Sequence, residues 1–348
     1  MNLDEKIENI LSKYGDKIII AAHHYQKDEI VKYANLVGDS YKLAVECSKG
    51  DAEFIVLCGV YFMAQSAALL AKNTQKVLIP ETSAGCPMAD MISGDKAEAI
   101  ITKINKMSGK NVAPIVYMNS LIDSKAVCGK FDGSVCTSSN AKKIISYFLD
   151  QGRPVFFYPD LHLACNCANK LGIAREQMAV FSRDMSLRLN CDIKDVKMFL
   201  YDGYCHAHQR FKVEHIDDIK AKFNDINIIV HPECKEDVVA KSNFVGSTDF
   251  IYKTVSNAKP GSKWAIGTEL NFVNRLALQN PDKFIIPLAK SPCFNMEKIT
   301  LQSLANTLMN IQNHIENGEA LNNLLKSDES LRSDAEKTLR QMIKINES

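Results

Sequence analysis

Lys76-Val77-Leu78-Ile79-Pro80 is a short apolar run that stops at a proline, and a few residues later comes Cys86. The arrangement returns twice: Met198-Phe199-Leu200-Tyr201 leads to Cys205, and Lys283-Phe284-Ile285-Ile286-Pro287 leads to Cys293. Brief β-branched and aromatic runs bounded by Gly, Pro and Ser are the pattern of buried strands in an α/β sheet. Ligands in such sheets gather beyond the carboxyl ends of the strands. Three thiolates delivered to three strand ends can therefore converge on one metal centre.

Around each cysteine strand the surroundings repeat. A first strand ends in a polar cluster at Ile18-Ile19-Ile20-Ala21-Ala22-His23-His24-Tyr25-Gln26, at Pro114-Ile115-Val116-Tyr117-Met118-Asn119-Ser120, and at Ile228-Ile229-Val230-His231-Pro232-Glu233-Cys234. A second short strand running into small or hydroxyl residues and then a helical pattern is read at Val56–Met63, at Ser134-Val135-Cys136-Thr137-Ser138-Ser139-Asn140, and at Phe244-Val245-Gly246-Ser247-Thr248. The period of about 95 to 115 residues is too long for a solenoid and suits a small α/β domain. A tandem triplication is expected, with domains at 1–86, 87–205 and 206–293 and with 294–348 packing back on the first. The amphipathic spacing of Leu301, Leu304, Leu308 and Ile311 predicts a helix in that last stretch. From Lys326 onward, Leu331, Leu339, Met342 and Ile343 form a weaker apolar stripe. No low-complexity linker separates the units, so three compact domains around a shared centre are expected.

The composition narrows the class. With 46% hydrophobic and 24% charged residues and a formal net charge of +1, the 348-residue chain reads as an ordinary soluble globular protein. It has no basic stripe for nucleic acid and no polybasic membrane patch. The start, Met1-Asn2-Leu3-Asp4-Glu5-Lys6, lacks a signal peptide's apolar stretch, and no run is long enough to span a bilayer. A cytoplasmic protein is expected. Eleven cysteines in a reducing compartment are not a disulfide framework. Cys47, Cys128 and Cys191 read as buried hydrophobes. Cys165 and Cys167 form a Cys-x-Cys with no second pair at zinc-finger spacing, so they are read as structural.

Three thiolates with no fourth protein ligand leave a coordination position open, as a catalytic metal needs. Sulfur ligation favours an iron–sulfur cluster or zinc; the competing reading is three inert loop cysteines. His23, Tyr25, Tyr117, Asn119, His231 and Glu233, in equivalent positions of the repeats, can hydrogen-bond an acidic substrate or move protons. His208, in Cys205-His206-Ala207-His208, is read as substrate-facing and His206 as structural. Thr137-Ser138 and Ser247-Thr248 precede helical patterns, and hydroxyls with free N–H groups at helix starts bind carboxylate or phosphate. Ordinary N-capping is the alternative.

The chain resembles the quinolinate synthase family, iron–sulfur enzymes of bacterial and archaeal de novo NAD synthesis. The likeness is carried by Ala22-His23-His24-Tyr25-Gln26, Gly38-Asp39-Ser40, Cys58–Ala64, Ala84-Gly85-Cys86-Pro87-Met88-Ala89-Asp90 and Tyr117-Met118-Asn119-Ser120. It continues through Cys136–Ala141, Cys205-His206-Ala207-His208, His231-Pro232-Glu233-Cys234, Gly246-Ser247-Thr248 and Gly267-Thr268-Glu269. So many matches in order, from about residue 20 to 300, are specific together.

The resemblance implies three pseudo-symmetric, Rossmann-like αβα domains with the active site at their common interface. There a [4Fe–4S] cluster would be held by Cys86, Cys205 and Cys293. It implies condensation of iminoaspartate with dihydroxyacetone phosphate to quinolinate, with loss of phosphate and water, and functional coupling to an aspartate oxidase or dehydrogenase. Carried over by motif, His23, Ser40, Tyr117, Asn119, Ser138, His231, Glu233 and Thr248 would bind substrate. Tyr25, His208 and Ser247 would line the cavity, and Glu233 would accept protons. Asn271 and Ala164 depart from family glycines, and the stretch Cys165–Val196 is longer than in short members. An iron–sulfur or zinc hydro-lyase acting on another small acid, or a non-catalytic iron–sulfur sensor, are the alternatives; a sensor would not need the array of His, Tyr, Ser and Glu.

Overall fold

The computed structural model describes residues 2–325 and 329–347. Among the described residues fourteen strands form three sheets, and the order within each carries the repeat. The first sheet contains β1 (Ile18–His23), β2 (Leu36–Gly38), β3 (Phe54–Cys58) and β4 (Lys76–Leu78), in the order β2-β1-β3-β4. The second is built from β5 (Ala113–Tyr117), β6 (Ser134–Cys136), β7 (Val155–Tyr158), β8 (Met178–Phe181), β9 (Leu187–Arg188) and β10 (Met198–Tyr201). Its order is β6-β5-β7-β10-β8-β9. The third has β11 (Ile226–Val230), β12 (Phe244–Val245), β13 (Lys263–Gly267) and β14 (Phe284–Pro287), ordered β12-β11-β13-β14. Every ladder is parallel except β8 with β9. Each sheet thus runs second, first, third, cysteine strand, and the protein is an α/β fold of three αβα domains.

The strands form where the sequence concentrates branched apolar residues. All of Phe54–Cys58 is buried, as a parallel strand covered on both faces requires. Its register against β1 sets Ala22 opposite Cys58, so the polar residues that follow β1 emerge at the carboxyl edge. In the first domain Ile7, Ile10 and Tyr14 of the helix Leu3–Tyr14 pack with Leu304, Leu308 and Ile311 of the helix Leu301–Asn317 over Ile18, Ile20, Phe54 and Val56. Burying each large aliphatic side chain of that layer is worth about 1.5–3 kcal/mol.

Two expectations need revision. The segment equivalent to Ser134–Ser138 and Phe244–Thr248 in the first domain is Leu36-Val37-Gly38-Asp39-Ser40 (β2 and the helix start after it), not Val56–Met63, which takes in the end of β3 and the start of the helix Tyr61–Leu70. β2 has only three residues and is half-buried, too short to register as an apolar run. The long stretch Cys165–Val196 also gains a place: after the helix Leu161–Lys170 it supplies β8 and β9, which extend the second sheet beyond β10.

The end of the chain differs as well. The helix Glu329–Glu347 lies against the helix Ile122–Lys130 and β6 of the second domain rather than on the first. Its buried face is Ala335, Thr338, Leu339, Met342 and Ile345. Gly129 makes the approach possible, because a Cβ there would stand 2.0 Å from the Asp334 carbonyl oxygen. Lys326, where the tail stripe was taken to begin, lies outside the described residues.

The chain divides into two compact units. One comprises residues 1–86, 270–275 and 292–328; the other comprises 87–269, 276–291 and 329–348. The second unit therefore holds both the second and third sheets. Among the described residues no helix is long and apolar enough to cross a membrane.

Candidate active site

The first strands of the first and third domains end in the same device. In the first, the Tyr25 N–H donates to Nδ1 of His23 at 3.1 Å; in the third, the Glu233 N–H donates to Nδ1 of His231 at 3.3 Å. In the second domain Tyr117, the last residue of β5, and Asn119 after it hold the corresponding positions. Each ring that accepts such a bond keeps its proton on Nε2. The turn thus fixes both the tautomer and the direction of the next polar side chain.

Within the second unit the carboxyl ends of four strands bring five polar groups together. Glu233, after β11, has Oε2 2.6 Å from Nδ1 of His208, which sits in the loop after β10. Nε2 of His208 lies 3.1 Å from the Thr268 hydroxyl, just past β13. The His208 and His231 rings stack with centroids 4.5 Å apart at 21°. Tyr117, at the end of β5, also hydrogen-bonds the Glu233 side chain. All are nearly closed to solvent: His208 is 1% exposed, Glu233 2% and His231 3%. Cys205 joins them, since its Sγ, a His208 nitrogen and a Glu233 oxygen all lie within 4.8 Å of one another.

Burial alone would raise the Glu233 pKa. The opposing pull of His208 and His231, with hydrogen bonds from His208 and Tyr117, holds it well below the usual carboxylate range. Burial drives the His231 imidazole down to about 3, against the attraction of Glu233 and with the help of His208. His231 is therefore neutral, in agreement with the N–H it accepts. The cluster is an ionised carboxylate bonded to one imidazole, with a second, neutral imidazole stacked on the first. Such a group can take a proton and pass it to a hydroxyl without opening to water.

All eleven cysteines are free, and Cys86, Cys191, Cys205 and Cys293 are the four that keep partial access. Three of these are the residues after β4, β10 and β14. Cys191, expected in the core, instead sits beyond β9 on the added hairpin. Cys165 and Cys167 are buried in the helix Leu161–Lys170, and burial pushes both thiols up to about 12. A thiol so placed is neither a ready nucleophile nor a ready ligand. The Cys86 loop is held by the Tyr61 N–H on the Ala84 carbonyl at 2.8 Å and by Lys298 Nζ on the Ser83 carbonyl at 2.8 Å. Cys86 and Cys293 belong to the first unit and Cys205 to the second.

The hydroxyl-bearing helix starts follow the second strand of every domain. Ser40 opens the helix Ser40–Lys49, whose N-cap is Asp39. Thr137 and Ser138 precede the helix Ala141–Asp150, and Thr248 opens the helix Thr248–Ser256. Ser247 caps that helix through the Phe250 N–H at 3.3 Å, and the Thr137 and Ser139 hydroxyls bond each other at 2.8 Å. In the first unit, the Asn271 side chain donates to the Tyr25 carbonyl at 3.4 Å, and Arg275 bonds the carbonyls of His24 and Gln26. The departure at Asn271 therefore supports the His23–Tyr25 loop. Thr268 is the cluster member that strand patterns did not single out. Its signal is a small hydroxyl residue placed directly after the buried run Lys263–Gly267.

The sequence profile of the quinolinate synthetase A protein family matches residues 5–344. The chain belongs to that family. The quinolinate synthase of Bacillus cereus is 41% identical over 346 residues, covering 98% of this chain and 93% of that protein. The quinolinate synthase of a Geobacillus species is 42% identical over 326 residues, covering 92% and 88%. That of Bacillus mycoides is 40% identical over 347 residues, covering 99% and 93%. This family member is thus an enzyme of the quinolinate synthase type, a function in NAD biosynthesis, and its cysteine–histidine–glutamate group fits metal binding.

Proposed function

We propose that the protein condenses iminoaspartate with dihydroxyacetone phosphate to quinolinate, releasing phosphate and water, a balance that needs no oxidant. The observation that carries this is the closed set of Glu233, His208, Thr268, His231 and Tyr117 beside a strand-end thiol. Closing and aromatising a ring from two aliphatic precursors requires repeated proton removal, and a positioned carboxylate suits that task. Glu233 takes the proton; His208, bonded to it through Nδ1, holds the carboxylate's direction and continues the path to the Thr268 hydroxyl. Tyr25 is the second candidate for proton movement. His231 offers its Nε2–H to a substrate oxygen.

Cys86, Cys205 and Cys293 would hold a [4Fe–4S] cluster. Their donor chemistry fits: each lies after a cysteine strand and keeps partial access, unlike most of the chain's thiols. When bound, the cluster supplies a Lewis-acidic iron for substrate oxygen. Helix starts at Ser40, Thr137-Ser138 and Ser247-Thr248 would take the carboxylates and phosphate, with His23 and Asn119 as further substrate contacts. Eleven free thiols suit the reducing cytoplasm, where an aspartate oxidase or dehydrogenase would supply the imine. A zinc-dependent hydro-lyase is favoured by one observation, the mixed sulfur, nitrogen and oxygen donors of Cys205, His208 and Glu233.

The test is an anaerobic assay with an aspartate oxidase, aspartate and dihydroxyacetone phosphate. Quinolinate formed by brown, iron- and sulfide-containing protein is the expected result. A colourless zinc protein, or a fully loaded cluster without quinolinate, would overturn the proposal.

A further inference from the structure

We infer that the helix Leu161–Lys170 is a clamp that fixes the Cys205 loop and the Glu233 loop relative to each other, with Asp160 and Asn166 as its two positioning residues. The inference rests on the proposed roles of Cys205 and Glu233, neither of which this helix itself supplies.

Asp160 is fully buried and caps the helix, accepting the Leu163 N–H at 2.7 Å. The backbone N–H groups of Cys205 and His162 also face its carboxyl, close enough to favour the ionised form against burial. One cap residue thus binds a loop that lies far along the chain from it. The main chain repeats the attachment: the Leu161 N–H donates to the Gly203 carbonyl at 2.9 Å, and Asp160 and Gly203 form a parallel bridge. Gly203 is needed for this approach, because a Cβ there would stand 2.4 Å from the Pro159 carbonyl oxygen. On its other side the same loop is held by the Tyr201 hydroxyl, which donates to the Met91 carbonyl at 2.7 Å.

Further along the helix, the buried Asn166 side chain donates to the Pro232 carbonyl at 2.8 Å and the Cys234 carbonyl at 2.9 Å. These carbonyls flank Glu233. Both loops of the His208–Glu233 pair are therefore tied to one rigid helix, one at its first turn and one at its second. A shift of about 1 Å in a reacting group is enough to cost a hundredfold in rate, so the clamp bears directly on catalysis. It also gives a role to the beginning of the stretch that carries Cys165 and Cys167: their helix is there for its cap and its amide.

The experiment separates this role from simple capping. Serine caps helices as aspartate does but is too short to reach the Cys205 N–H as well. Asp160→Ser and Asp160→Asn proteins are prepared free of metal, treated with iodoacetamide, and analysed peptide by peptide for alkylation of Cys86, Cys205 and Cys293. In Asp160→Ser, Cys205 should react about tenfold faster because its loop opens locally, with Cys86 and Cys293 unchanged; Asp160→Asn, which keeps the acceptor oxygen, should restore the rate. A wild-type Cys205 rate in folded Asp160→Ser overturns the Asp160 role. Asn166→Ala covers the case in which Asp160→Ser does not fold. It should keep its iron and its KM while kcat falls about tenfold or more, and an unchanged kcat overturns the clamp. The alkylation measurement needs no cluster, so it stands apart from the ligand assignment, which the iron content of Cys205→Ala judges.

Discussion

Replacing Glu233 with glutamine keeps the size of the side chain and its capacity for hydrogen bonds while removing its charge and basicity. The carboxylate is buried 2.6 Å from His208 and is kept ionised by that imidazole and by the Tyr117 hydroxyl. Two consequences follow from that geometry. For stability, the amide oxygen can still accept from Nδ1 of His208, so the cost is that of a weakened buried hydrogen bond, about 1–3 kcal/mol, rather than that of an abandoned charge. For activity, loss of a positioned base lowers the rate by about a hundredfold to ten-thousandfold, or about 3–5 kcal/mol of transition-state stabilisation. The assay is anaerobic quinolinate formation at saturating substrates, with iron and sulfide measured on the same sample. Glu233→Gln should carry a full cluster, bind substrate and turn over at least about a hundredfold more slowly. Turnover within a few-fold of wild type in the fully loaded variant would refute the role and move the base to Tyr25 or His208.

Cys205→Ala should lose most iron and sulfide, whereas Cys165→Ala and Cys167→Ala should retain them; full iron in Cys205→Ala would remove it from the ligand set. Thr248→Ala should weaken substrate binding by about tenfold with cluster content unchanged; calorimetry with a dicarboxylate checks this, and unchanged affinity with lowered stability would mean a helix-start role only. Lys125 is buried with Nζ 2.5 Å from the Ser120 carbonyl, and burial pulls its amine from 10.5 to about 7. The unfolded chain therefore takes up the proton first as pH falls from 10.5, so this group's destabilising effect grows down to pH 7 and is constant below. Lys125→Met should flatten that rise of stability with pH by about 3–5 kcal/mol across the window; parallel pH-dependent unfolding curves for the two proteins would refute it. Gly129→Ala, which places a Cβ against the Asp334 carbonyl, should cost about 1–3 kcal/mol and speed hydrogen exchange in 329–347.

The first strand and the cysteine strand of each repeat were legible in the chain because burial leaves a local imprint. A strand covered on both faces must be apolar at nearly every position, and Ala113–Tyr117 and Met198–Tyr201 are, whereas Val155–Tyr158, as apolar as they are, was not singled out because no polar cluster or strand-end cysteine marks it. A residue at the end of such a run, or in the loop that follows it, lies at the carboxyl edge wherever the sheet is placed, which is why His23, Tyr117, His231 and the cysteines could be named from spacing. Tertiary structure decided what leaves no such imprint. β2 is three residues long and half-buried, so its pairing with β1 supplies the order that its composition does not. The stripe of Glu329–Glu347 reads the same whichever surface receives it; Gly129 decides, because it lets the helix backbone come close. The joining of Glu233 to His208, Thr268 and Tyr117, and the reach of Asp160 to the Cys205 N–H, follow from the return of separate strands to one edge in a fixed order. Hydrophobic periodicity records whether a side chain is buried, while the partner of a buried charge is set by chain segments far away in sequence.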